Sequence, residues 1–215
     1  MVTTTRTVLV EPRRTTNERV SALIVVLVTL VALVAGFLLR NSAESATRSF
    51  TTPYNLTISY PDGWRINDTD AANRVVMSEP GSGRFPTTFE VTNVVVDASA
   101  PFTDVLGTVG QNLATSRGTG LTAYRVLNIQ NQVADANGNR TALMVKGLPA
   151  TITRYAYVST PRSVLTEGLP TVVVGTDYLL RKDNRVYIFT VQSTEENEAD
   201  AKARFERFVQ DARIP

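Results

Sequence analysis

Few side chains in this chain are of a type and spacing that could do chemistry. Lys146 is the lysine of the strand-rich region ahead of the late hairpin. Next to a serine it could activate a hydroxyl for acyl transfer. No serine is positioned by the local sequence to meet it, and no Gly-x-Ser-x-Gly elbow occurs, so no Ser–Lys dyad is assigned. Asp68 and Asp70 could form a carboxylate pair for acid–base work or cation binding. They stand in Asn67-Asp68-Thr69-Asp70, a turn-forming stretch in which a solvated loop is the simpler reading. Asp135-Ala136-Asn137-Gly138-Asn139 is superficially like a calcium loop, yet it lacks the ligand spacing and the distal bidentate glutamate. Gly118-Thr119-Gly120 reads as a helix stop and not a phosphate cradle, because no helix begins after it. Trp64, after Pro61-Asp62-Gly63, could be a recognition aromatic and is read as a core anchor.

Composition closes further routes. The chain has no cysteine and no histidine, which removes thiolate nucleophiles, disulfides, imidazole bases, haem histidines and the usual zinc sites. It also excludes a lipidated N-terminal cysteine. The expectation is therefore a non-enzyme: catalytic residues none, cofactor-binding residues none, metal ligands none, cofactors none.

The elements that would carry any site alternate between two periods. Tyr54 to Tyr60 alternates as a half-buried strand, and Pro61-Asp62-Gly63 turns the chain into a strand from Trp64. Val75 to Met77 is a short strand that ends in the loop Glu79 to Gly83. Thr88 to Val96, rich in β-branched residues, is another strand. Phe102, Val105, Leu106, Val109 and Leu113 then fall on one helical stripe, opened near Pro101 and stopped at Gly118. Gly107, Gly110 and Ala114 make a smooth flank expected to pack on the domain's own sheet.

Strands are read over Tyr124 to Val133, Thr141 to Val145 and Thr151 to Ser159, with Asn137-Gly138 as a hairpin turn. A loop from Thr160 to Pro170 precedes Thr171 to Leu180, which turns at Lys182-Asp183-Asn184 into Arg185 to Gln192. This is the firmest hairpin. A last helix is expected with a Ser193/Glu196 capping box and an apolar stripe of Ala201, Phe205, Phe208, Val209 and Ala212. Glu198 with Lys202 and Asp200 with Arg204 are spaced as i,i+4 pairs. The fold class is α+β, an antiparallel sheet with helices packed on its faces.

Ahead of this domain lies Val20 to Leu39, a run of twenty residues without a charge, flanked by Arg19 and Arg40. As a helix it would extend about 30 Å, the hydrocarbon thickness of a bilayer. It is apolar all round and longer than a signal-peptide core, so it is read as an uncleaved single-pass signal-anchor. The organisation expected is a cytoplasmic tail at 1–19, a transmembrane helix at 20–39, a linker at 40–50 and an extracytoplasmic α+β domain at 51–215. Four arginines and two glutamates precede the run, so the positive-inside bias places the N-terminus in the cytoplasm. Localisation in a cell inner membrane, with the large domain periplasmic or extracellular, follows.

The net charge of +2 belongs to that tail, because Lys+Arg and Asp+Glu balance from Arg40 onward. Nucleic acid is thereby disfavoured as a partner. The span contains Gly36 alone and no Gly-x-x-x-Gly dimer motif.

The order of elements, the opening segment YNLTISYPDGW from Tyr54 and the ending RVYIFTVQSTEENEADAKARFERFVQDARI from Arg185 resemble the PsbP-like family, the extrinsic photosystem subunits and their wider relatives. The shared features are a strand, a Tyr-Pro-x-Gly-Trp turn, a late hairpin carrying Tyr187-Ile188-Phe189 and a C-terminal helix with paired phenylalanines. They cover nearly all of 50–215. The resemblance implies an α-β-α sandwich and a non-catalytic accessory or assembly role in a membrane complex, photosynthetic or respiratory. The expected partners are the membrane and other integral membrane subunits; a small-molecule ligand is not specified. With no histidine, none of the family's metal chemistry carries over. The alternative is a free-standing, membrane-anchored ligand-binding receptor.

Overall fold

A computed structural model of the 215-residue chain describes residues 16–45, 47–69, 73–81, 85–134, 138–160 and 169–215. Two compact units result, Met1–Ala46 and Thr47–Pro215.

The first unit contains one helix, α1 (Thr16–Ser45), 30 residues long. Its side chains are described at 20–21 and 23–36, and the large apolar ones are exposed, from Val34 at 51% to Leu33 at 69%. Thr29 bonds back to the Val25 carbonyl at 2.8 Å, which removes any need of its hydroxyl for a partner. Among the described residues no helix is long and apolar enough to cross a membrane. The polar stretch 40–50, expected as a linker, is helical through Ser45 and enters a strand at Thr47. Asn and Ser disfavour a helix interior only weakly, so a well-formed helix propagates through them. Most of the tail expected at 1–19 lies outside the described residues.

The second unit is built on an antiparallel sheet. Its strands are β3 (Arg65–Thr69), β4 (Arg74–Ser78), β5 (Thr88–Val95), β6 (Thr122–Gln130), β10 (Leu148–Ser159), β11 (Thr171–Lys182) and β12 (Arg185–Thr194), in the order β3-β4-β5-β12-β11-β10-β6. The short β9 (Met144–Val145) pairs with the start of β10. Two small hairpins stand apart, β1 (Thr47–Thr51) on β2 (Thr57–Pro61) and β7 (Gln132–Ala134) on β8 (Arg140–Ala142). β1 was not expected from the sequence, since TRSFT shows no clean alternation. The Tyr54-to-Tyr60 alternation is realised in β2, and at the following turn the Asp62 carboxylate accepts the Gly63 N–H at 2.9 Å, with Gly63 at φ +85.

Helix α2 (Phe102–Gly120) and helix α3 (Glu198–Asp211) lie on opposite faces of the sheet, which is the expected α-β-α layering. The strand period proves the sidedness. Leu179 packs with Val105, Leu106 and Val109 of α2, whereas its neighbours Tyr178 and Leu180 pack with Phe205 and Phe208 of α3. β11 is thus buried on both faces, which accounts for apolar residues at consecutive positions in Val172 to Val174 and Tyr178 to Leu180. The β11–β12 hairpin forms as expected, with Lys182 opposite Arg185 and Asp183 at φ 52. Trp64 is a core residue, its ring 4.7 Å from that of Phe89.

Several local expectations are overturned. Ser193 does not cap a helix: it is buried in β12, opposite Val174, and a 3-10 turn, Glu195–Asn197, separates that strand from α3. Sheet pairing there outlasts the capping signal. The expected pairs Glu198–Lys202 and Asp200–Arg204 give way to pairs reaching off the helix. Glu198 takes both ends of the Arg154 fork at 2.7 Å, and Arg204 reaches Glu79 at 3.0 Å. A bidentate arginine–carboxylate fork outcompetes a flexible surface pair. Lys202 instead stands 3.9 Å from Glu206. On α2, Gly110 meets Leu179 as expected of a smooth flank, but Gly107 faces open space and nothing in the structure explains it. The strand expected from Tyr124 to Val133 breaks at Asn131, where the chain changes partner from β10 to β8.

Candidate functional site

On the α2 face, three central strands place polar side chains where the sequence pattern calls for apolar ones. Register sets Asp177 beside Thr190, and Gly175 between Tyr155 and Gln192. The missing side chain at Gly175 is the device that organises the cluster. Tyr155 lays its ring across β11 there, and a Cβ on residue 175 would stand 2.2 Å from the ring. The Tyr155 hydroxyl thereby reaches β12, where it accepts from Gln192 Nε2 at 3.0 Å, and Gln192 Oε1 accepts from the Tyr157 hydroxyl at 3.2 Å. Gly175→Ala is expected to displace the ring and lower stability by about 1–3 kcal/mol. Thermal denaturation checks this, and the same substitution beside Tyr155→Leu should cost less than the sum of the two alone.

Arg117, in the last turn of α2, lies over the Tyr155 ring with its guanidinium carbon 4.4 Å from the centroid. It donates to Asp177 Oδ2 and, at 3.3 Å, to Thr190 Oγ1; Thr190 donates in turn to Asp177 Oδ1 at 2.7 Å. Burial works to lower the Arg117 guanidinium, but the charge of Asp177 holds it above its ordinary value. Burial also raises the Asp177 carboxyl, against the pull of the guanidinium and the threonine hydroxyl. Tyr157 is pushed up to about 12 by burial, and Tyr155 well above the ordinary phenol range for the same reason. Every charge in the cluster has its partner inside it. The cluster ties the end of α2 to β11 and β12 and so fixes the seating of that helix on the sheet.

The residues singled out in the sequence fare differently. Lys146 is part of no dyad: its ammonium donates to the carbonyls of Gln210 and of Ala212, the latter at 2.7 Å, and so closes the C-terminal end of α3. Gly118 to Gly120 end α2, with Gly118 against Tyr124. The Asp68 side chain, Asp70 and the segment Asp135 to Asn137 lie outside the described residues. Among the described residues no group of three or more carboxylate, histidine or cysteine side chains could hold a metal ion. Sequence reasoning missed the Arg117–Asp177 pair, although the signal was present. A lone aspartate inside the run Thr171 to Leu180 must meet a cation or a row of donors if that strand is buried.

Among the described residues, two open grooves stand out. One, of about 330 Å³, runs between Pro53 to Asn55 and the β11–β12 turn. Its cations are engaged, Lys182 with the Ile214 carbonyl at 3.2 Å and Arg185 with Asn93 at 2.8 Å. The other, of about 300 Å³, follows the outer edge of the sheet from Asn128 to Ala134, with Arg140 at its side. Both are open to solvent and lined mostly by polar groups.

No family model and no curated protein matches the chain. Solved structures do. The solution structure of cyanobacterial PsbP (CyanoP) from Synechocystis is 12% identical, with a TM-score of 0.54 over 80% of this chain and 94% of that one. A protein of unknown function from Pseudomonas aeruginosa described as a putative regulator is 14% identical, with a TM-score of 0.45 over 80% and 98%. The Ran-binding protein Mog1p of Saccharomyces cerevisiae is 11% identical, with a TM-score of 0.45 over 79% and 95%. The likeness to CyanoP is one of fold, and the α+β unit Thr47–Pro215 has a PsbP-like fold.

Proposed function

We propose that this chain, with its PsbP-like domain, is a non-catalytic accessory subunit of a membrane protein complex, tethered by Val20 to Leu39 with the domain on the extracytoplasmic side. The observation that carries the reading is the contrast between surface and interior. The large apolar side chains described in α1 are all exposed, whereas the domain's buried ionic cluster is closed on itself. An apolar helix exposed in this way is satisfied by lipid or by other apolar helices. A receptor for a small molecule calls for an enclosed, largely apolar pocket, and the two grooves are shallow and polar, which favours a macromolecular partner.

The test is gentle solubilisation of native membranes followed by a native gel. The subunit is expected to migrate with a much larger complex, and a small monomer would overturn the reading. Replacing Val20 to Leu39 by an unrelated span of equal length then separates tether from docking helix. Loss of co-migration assigns specificity to the helix, and retention assigns it to the domain.

A further inference from the structure

The two edges of the main sheet are built differently. β3 is five residues long and opens on the exposed Arg65, a short form that discourages further pairing. β6 is nine residues long, with Val126, Leu127 and Ile129 exposed at 40%, 48% and 59%. Its first part is blunted by two irregularities. Leu127 has no opposite residue between Tyr155 and Arg154, and the three steps from Thr122 to Arg125 face only two from Val158 to Ala156, with Ala123 at φ 54. A bulged strand bends and offers a poor template. From Asn128 onward the register is regular, and after Asn131 the run continues into β7. The unblunted stretch, Asn128 to Ala134, is the same stretch that lines the edge groove.

We infer that Asn128 to Ala134 is a β-augmentation site for an extended segment of a partner protein, with apolar residues over Ile129 and Val133 and a carboxylate meeting Arg140. The inference rests on the accessory reading and names the surface used. Ile129 and Val133 stand on either side of the break at Asn131, and both are exposed, at 59% and 41%. They present side-chain grip while the strand edge presents backbone donors and acceptors. The charge on offer is of one sign. No acidic residue occurs from Thr122 to Ala134, and neither Arg125 nor Arg140 meets an acid among the described residues. A second copy of this chain would bring the same acid-free strand, so it supplies no partner for Arg140. An acidic strand from another protein does.

The experiment uses the full chain in detergent micelles and two fluorescein-labelled peptides of about seven residues, long enough to line the stretch. The first is Thr-Val-Glu-Val-Thr-Val-Thr, and the second has Lys in place of Glu. Fluorescence anisotropy is expected to show the acidic peptide binding about ten-fold or more tightly than the basic one, the effect of one charge-assisted bond. Hydrogen exchange should slow within 128–134. Arg140→Gln should abolish the preference, Arg125→Gln should leave it, and Ile129→Lys with Val133→Lys should abolish binding with the thermal transition unchanged.

Equal binding of the two peptides, protection outside 128–134, or no binding of either overturns the inference. So does a concentration-dependent dimer that Ile129→Lys dissolves, because the edge then serves a second copy. A native gel of the Ile129→Lys chain beside the unaltered one keeps the two readings apart. Retention of the complex by the variant overturns the edge site alone, whereas a monomer for the unaltered chain overturns the accessory reading, and the peptide result still decides the edge.

Discussion

Asp177→Ala is expected to cost the Thr47–Pro215 unit about 3–5 kcal/mol in urea denaturation, the range found when one member of a buried ion pair is removed. Asp177 is 1% exposed and the Arg117 side chain 12%, so truncation leaves a guanidinium that water cannot adequately reach. The penalty is chiefly this stranded charge and only partly the lost bond. The distinction can be measured. Arg117→Met combined with Asp177→Leu removes both charges and keeps most of the volume, and it should lie within about 1–2 kcal/mol of the unaltered protein, or above it. The midpoint is expected to move while the denaturant slope stays constant. A cost below about 1 kcal/mol for Asp177→Ala would put the pair on the footing of a surface salt bridge and remove its role in seating α2.

That pair marks the limit of what local pattern discloses. Period alone announces the β11–β12 hairpin and the stripes of α2 and α3, because a strand buried on both faces and a helix buried on one leave distinct signatures. The turn at Lys182-Asp183-Asn184 is legible for the same reason, since its residues tolerate the backbone that Asp183 adopts at φ 52. Partnership is a different kind of information. Asp177 declares that it needs a cation, but only the strand order and the path of α2 name Arg117, sixty residues away. Ser193 and Glu196 carry a capping signal that is sound locally and loses to ten residues of pairing between β11 and β12. The edge at Asn128 to Ala134 is likewise invisible in sequence, since an edge strand and a central strand of the same composition differ only in what lies beside them. The run Val20 to Leu39 is the converse case, since twenty consecutive uncharged residues are legible without reference to any partner.

Phe89→Ala is the second substitution with a large expected effect, about 3–5 kcal/mol, because it opens a cavity where three layers meet. Phe89 is fully buried, with ring centroids 4.7 Å from Trp64, 5.4 Å from Phe205 and 5.1 Å from Phe208. It therefore joins the segment after β2, the sheet at β5 and the C-terminal helix. Each such aromatic pair adds about 0.5–1.5 kcal/mol beyond the area it buries. Removing this ring should loosen α3 as well as weaken the core, although Tyr178 and Phe189 stay 5.3 Å from Phe205 and 6.0 Å from Phe208. The polar ties of α3 to the rest of the unit include the Arg154–Glu198 fork, the Arg204–Glu79 pair and the Lys146 cap, all at least partly exposed. Two signals should accompany the loss of stability: a red shift in the emission of Trp64, the single tryptophan, and faster amide exchange across Glu198 to Asp211 before global unfolding. Phe102→Ala is the control. That ring is 38% exposed at the start of α2, and its truncation should cost under about 1 kcal/mol. If both substitutions cost the same, the ring cluster around Phe89 is not what couples α3 to the sheet, and the contacts of Tyr178 and Phe189 with Phe205 and Phe208, together with the polar ties, hold the helix instead.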